Sequence, residues 1–258
     1  MSLHPPRRGP CVVSRNPLGF SLIELLVVMG FMSLLLAVTV PAVNALKGSG
    51  EFTKAVDEVE LSLNRARTYA IAQNTYVWVG FYEESAMSGS NGNAVPPYSG
   101  KGQVLMSIVA SVDGTKIFED GATPGNLPAN RLKPVSRLQK ISRVHLADVG
   151  APAGTGDSHS LAGRPEAPYS GSDAETSRIS SDSAESTPFP FESAGYTFRK
   201  TVRFSPSGEA TINGAAIPKR LGEIGLIPAN GDRVQTDSSN LAAIQFSGIG
   251  GSVRAYRQ

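Results

Sequence analysis

An α+β fold is predicted: a long N-terminal helix, membrane-spanning in its first half, packs through its second half against an antiparallel β-sheet head. Three observations lead to it. Residues Phe20 to Val43 carry one charge, Glu24, in 24 positions. Phe52, Val56, Val59, Leu63, Ala66 and Ala70 recur at spacings of four and three, one face of a helix. Beyond Asn74 the chain turns to aromatic and β-branched runs separated by Gly, Pro and Asn turns. The 27 glycines and 18 prolines favour such turns and short strands over a helical bundle.

The chain divides into a basic leader at 1–19, a helix at 20–74 and a β-rich head at 75–258. The leader contains Arg7, Arg8 and Arg15 and no acid; without it the chain has 21 basic residues against 22 acidic ones. Bulk charge therefore gives no case for nucleic acid as a partner. The single cysteine, Cys11, also lies in the leader and lacks the small apolar run that precedes a lipidated cysteine. The remainder has no thiol for a disulfide or a cysteine metal site.

At about 1.5 Å per residue, residues 20–43 reach roughly 36 Å as a helix, enough for a bilayer core of roughly 30 Å. The basic side stays cytoplasmic and the head is exported, giving a single-pass inner-membrane protein. A secretory signal would end in a small-x-small site, which Ala42-Val43-Asn44-Ala45 imitates, but the apolar run is long and the helix pattern continues past it. An uncleaved signal anchor is the alternative. Neither accounts for Glu24, a carboxylate that needs a cationic partner in apolar surroundings. The α-amine of Phe20 on a neighbouring copy would supply one if the chain were cut after Gly19.

Pro41 and the glycines of Lys47-Gly48-Ser49-Gly50 predict a bend or local melting between 41 and 50. From 51 to 74 the amphipathic stripe joins the head. Strands are predicted at 75–82, 104–112, 141–146, 196–204, 210–212, 243–246 and 252–256. Asp113-Gly114 is read as a hairpin turn with its return at 115–118. Residues 150–190 hold hardly any large apolar side chain, which predicts a loosely held insert.

The string Gly19-Phe20-Ser21-Leu22-Ile23-Glu24, after a basic leader and before an apolar run, resembles the prepilin peptidase site of type IV pilins and type II secretion pseudopilins. That resemblance implies a pilin-like fold, cleavage after Gly19 by a prepilin peptidase, N-methylation of Phe20 and an assembly role for Glu24. It also implies a helix kink at Pro41 and other pilin or pseudopilin subunits as partners within the inner membrane. The segment Ala66-Arg67-Thr68-Tyr69-Ala70-Ile71-Ala72 with Asn74, the turn Phe204-Ser205-Pro206-Ser207-Gly208, and the end from Ile244 to Arg254 are similar to the GspH/FimT group of minor subunits. Residues 19–74 also resemble the Verru_Chthon cassette D proteins. The implied function is a structural subunit of an envelope filament; a pilus-tip receptor for DNA or a surface, and an anchored domain that never assembles, are the alternatives.

The sequence offers no catalytic motif. The histidines are His4, His145 and His159, and there is no HExxH, Walker loop or G-x-S-x-G. Asp113, Glu119 and Asp120 lack the spacing of a calcium loop. No enzyme activity, cofactor or metal is expected. Arg233, Arg254 and Arg257 are the candidates for phosphate contact under the receptor reading.

Overall fold

The computed structural model describes residues 21–87, 100–116, 127–149, 161, 164–165, 177–180, 190–236 and 240–258; for 38 and 40–49 it describes the backbone alone. The chain divides into two units, Met1–Leu46 and Lys47–Gln258. Helix α1 is Leu22–Ala72. The unit boundary falls beside the glycine-containing Lys47–Gly50 stretch, through which the backbone keeps its helical assignment.

The second unit is built mainly of strands. A first sheet contains β1 (Val77–Ser85), β2 (Gly102–Ser111), β3 (Leu132–Pro134), β4 (Gln139–Ser142), β9 (Lys200–Phe204) and β10 (Ala210–Ile212). Its order is β10-β9-β1-β2-β3, with β4 also on β2. A second sheet contains β5 (Val144–Leu146), β6 (Arg178–Ile179), β11 (Leu221–Asn230), β12 (Arg233–Val234), β13 (Ala242–Ser247) and β14 (Val253–Arg257). Its order is β12-β11-β13-β14, with β5 and β6 also on β11. A hairpin, β7 (Phe191–Ser193) and β8 (Tyr196–Phe198), stands apart.

Strand β1 shows why these layers form. Val77, Val79 and Phe81 enter the main core with the α1 stripe, whose six predicted positions are all buried, and with Ile224, Leu226, Ile244 and Phe246 of the second sheet. Trp78, on the opposite face, packs with Phe191, Tyr196 and Phe198 of the hairpin. Both faces of the strand are thus covered, which explains its unbroken apolar run. Gly80 is where the hairpin presses closest: a Cβ there would lie 2.5 Å from the Phe198 Cβ and 2.6 Å from the Phe191 ring. A third apolar cluster, containing Val149, Leu161 and Ile227, covers the other face of the second sheet.

The end of α1 is set by Asn74, which adopts φ 48°. Its N–H donates to the Ile71 carbonyl, and the Thr75 N–H reaches back to the Ala70 carbonyl at 3.0 Å. These two bonds are the Schellman arrangement with a left-handed residue just past the helix. Asn74→Gly should be neutral or slightly stabilising, whereas Asn74→Val should cost about 1–2 kcal/mol in denaturant melts. Equal stability of the two variants would refute this account of the helix stop.

The predicted α+β arrangement needs correction. Strand, rather than the N-terminal helix, dominates the folded unit, and the head is not purely antiparallel, because β6 runs parallel to β11. Among the described residues no helix is long and apolar enough to cross a membrane. Within those residues the apolar side chains from Leu22 to Ala37 amount to roughly 24 Å of helix, short of a bilayer core of roughly 30 Å. The membrane-spanning first half, the signal-anchor reading and the single-pass inner-membrane localisation inferred from it lose their support.

Two predicted strands are also split. Residues 141–146 break at Arg143, whose φ of 62° turns the chain from the first sheet to the second. Residues 196–204 break at Arg199, between the hairpin and β9. At Asp113-Gly114 the glycine takes φ 76°, but Thr115 and Lys116 are not strand; β2 pairs at that end with β3. Residues 117 and 118 of the predicted return lie outside the described residues.

Candidate functional site

The sequence-derived site is the start of α1. Gly19 and Phe20, the predicted cleavage and methylation positions, lie outside the described residues. Glu24 is in the first helical turn and is exposed. A carboxylate there is favoured by the partial positive charge of the helix start, worth about 0.3–1 kcal/mol. Pro41 lies within α1, in the part described by backbone alone.

Around Glu24 the surface is apolar on every side. Twelve large apolar side chains from Leu22 to Leu36 are exposed, ranging from 48 % for Val27 to 81 % for Leu22. They occupy successive positions, so no single face is set aside for packing within the chain. The hydroxyls in this stretch are turned inward: Ser33 Oγ donates to the Gly30 carbonyl at 2.9 Å and Thr39 Oγ1 to the Leu35 carbonyl at 3.0 Å. Back-bonding of this kind satisfies a hydroxyl without solvent, leaving the outward surface apolar. The segment presents an almost wholly apolar surface with a single carboxylate in its first turn.

The head holds three polar clusters that sequence reading missed. Glu83 pairs with Nδ1 of the buried His145, and accepts from the Leu146 N–H at 3.1 Å. Glu84, only 1 % exposed, points the other way; it accepts from the Tyr196 hydroxyl at 3.0 Å and from Lys140 Nζ at 3.3 Å. Burial, reinforced by the Glu84 carboxylate, holds the Tyr196 phenol above its usual range. Burial pulls Lys140 down, but the contact with Glu84 outweighs it and holds the ammonium above its usual range. Both groups therefore keep their protons at neutral pH and act as donors that fasten β4 and the hairpin to the end of β1. The signal in the sequence was two adjacent acids, Glu83-Glu84, closing an apolar strand: alternation sends them to opposite faces of the sheet.

The third cluster surrounds Glu223 on β11. Arg164 Nη2 donates to its Oε1 at 3.1 Å, Gln245 Nε2 to its Oε2 at 2.7 Å, and Arg178 Nη1 stands 3.6 Å away. Burial pushes this carboxyl above its usual range, against the opposing pull of Gln245, Arg164 and Arg178; the nearby Asp148 pushes it further up.

The remaining candidates serve the fold or lie apart. Asp113 accepts from Ser111 Oγ at 2.7 Å, from the Thr115 N–H and hydroxyl, and from Arg131, which holds its carboxyl well below the usual range. It braces a turn. Glu119, Asp120, His4, His159 and Cys11 lie outside the described residues. Among the described residues no group of three or more His, Cys, Asp or Glu side chains could hold a metal. Arg233 lies on β12 and Arg254 and Arg257 on β14, at opposite ends of the second sheet's strand order, and Arg257 pairs with Asp57. The three arginines do not form one patch. No family model matches the chain, and no curated protein or solved structure was found to be similar to it.

Proposed function

We propose that this chain is a pilin-like structural subunit, a pseudopilin or minor pilin, that is cut after Gly19 and assembled through its N-terminal helix into a filament of the type IV pilus or type II secretion class. The observation that carries the reading is the solvent-facing apolar run from Leu22 to Leu36 with one carboxylate, Glu24, in its first turn. Burying a single Leu, Ile or Phe side chain is worth about 1.5–3 kcal/mol, so a run of this size strongly favours association with like helices. Cutting at Gly19 would place a new α-amine four residues from Glu24 in sequence, and on a neighbouring subunit that amine is the cation the carboxylate needs. Glu83 and Glu84 fasten the end of β1 to its neighbours in the head, which supports a structural role.

The test is mass spectrometry of the mature N-terminus from cells that process prepilins. The expected product begins at Phe20 and is one methyl group heavier than the unmodified peptide. A protein recovered with Met1 still attached, or beginning anywhere other than Phe20, would overturn the reading.

A further inference from the structure

Residues 177–180 come from the insert that composition marks as loosely held, yet they are buried at the seam between the two sheets. Arg178 and Ile179 form β6, pairing with Glu223 and Ile224 of β11. The Ser177 carbonyl accepts from the Glu223 N–H at 2.8 Å. Ile179 is fully buried in the main core. On the other side, the Ser180 carbonyl accepts from Nζ of Lys200, a lysine of β9 only 7 % exposed, at 2.7 Å. One four-residue segment therefore binds both sheets. A second contact from the same insert converges on it: Arg164 reaches Glu223 and the Val149 carbonyl, while Gln245 donates to the Pro165 carbonyl as well as to Glu223.

We propose that Ser177–Ser180 is a detachable strap across the open seam of the two sheets, latched by Glu223 on one side and Lys200 on the other, which opens while the rest of the head stays folded. Three features make it separable. Its ladder is two residue pairs long, against six for β11 with β13. Apart from Ile179, its attachment is polar, and buried ion pairs often do little more than offset the desolvation of their charges. The raised pKa of the Glu223 carboxyl shows that its cationic neighbours do not fully compensate its burial. Segments held in this way open locally at a lower free energy than the core. Opening uncovers Ile224 and the edge of β11 beside β5.

Limited trypsinolysis of the full chain in mild detergent, read by mass spectrometry, tests the strap. The Arg178–Ile179 bond reports strap opening and the Arg203–Phe204 bond on β9 reports unfolding of the first sheet; both arginines are buried in the closed state. The wild-type chain should be cut at Arg178 at least tenfold faster than at Arg203. Glu223→Ala and, separately, Lys200→Met should each accelerate cutting at Arg178 by a further tenfold or so and leave the Arg203 rate unchanged. Equal wild-type rates at the two bonds, acceleration of both bonds together, or no acceleration in either variant would overturn the proposal. The wild-type comparison stands by itself if a variant does not fold.

Discussion

Glu24→Val is expected to reduce incorporation into filaments at least tenfold, while cutting after Gly19 proceeds and the head melts at the wild-type temperature. Valine retains the apolar character of the segment, so a simple gain in hydrophobic burial would predict equal or better assembly. The carboxylate must therefore contribute something that burial does not. Paired with the α-amine of a neighbouring Phe20, it adds little net stability, because desolvation consumes most of the attraction. What it changes is the cost of a wrong stagger, which leaves both charges unpaired in apolar surroundings, a penalty of several kcal/mol. A tenfold loss corresponds to about 1.4 kcal/mol per contact, well within that penalty. Glu24→Gln, which keeps the shape and loses the charge, should fall on the same side as valine. The measurement is the fraction of subunit in sheared or sedimented filaments against total subunit. Wild-type yields from Glu24→Val would remove the carboxylate from the assembly step.

The parts of the fold that were legible in the sequence are those governed by one periodicity. The stripe from Phe52 to Ala70 follows the helical repeat and is buried as read, and Asn74 marks its end because a left-handed position tolerates asparagine. Strands β10, β13 and β14 were legible to within a residue or two, because their apolar runs are bounded by turn residues. The failures occur where a single residue redirects the chain. Arg143 at positive φ is invisible to pattern reading, since arginine carries no preference for that region, and so β4 and β5 read as one strand. The strap was missed for a different reason. Arg164 and Arg178 lie in a polar, Ser- and Gly-rich stretch whose composition argues against burial, and only the three-dimensional position of Glu223 reveals their partner. Glu24 stands out in the sequence because it is a lone charge in an apolar run; Glu83 and Glu84 do not, because acids at a strand end are ordinarily solvated.

Strand β11 was the largest omission, and the glycines that hid it make the second large prediction. Gly222, Gly225 and Pro228 interrupt the apolar pattern of Leu221–Asn230, so the segment does not resemble a strand, yet it pairs with β5, β6, β12 and β13. Gly225 is there for space. A Cβ at that position would lie 1.9 Å from the Ala147 carbonyl oxygen and 2.9 Å from Val149 Cγ2. The Ala147 carbonyl is backbone and cannot rotate aside, and the Ala147 N–H is tied to the Gly225 carbonyl at 2.9 Å. Gly225→Ala must therefore push the chain after β5 off the second sheet, disturbing that hydrogen bond and the cluster containing Val149, Leu161 and Ile227. Overpacking of this kind is expected to cost about 3 kcal/mol, a fall in Tm of roughly 6–12 °C for a head of this size. Gly195 is the contrasting case: it has φ 84°, and a Cβ placed on it would meet nothing within 4 Å. Gly195→Ala meets only backbone strain, about 1 kcal/mol, and should lower Tm by roughly 2–4 °C. Thermal melts of the two variants followed by near-UV circular dichroism decide between space and conformation. Should Gly225→Ala melt no lower than Gly195→Ala, the close approach of Ala147 to β11 would not be what fixes glycine at that position.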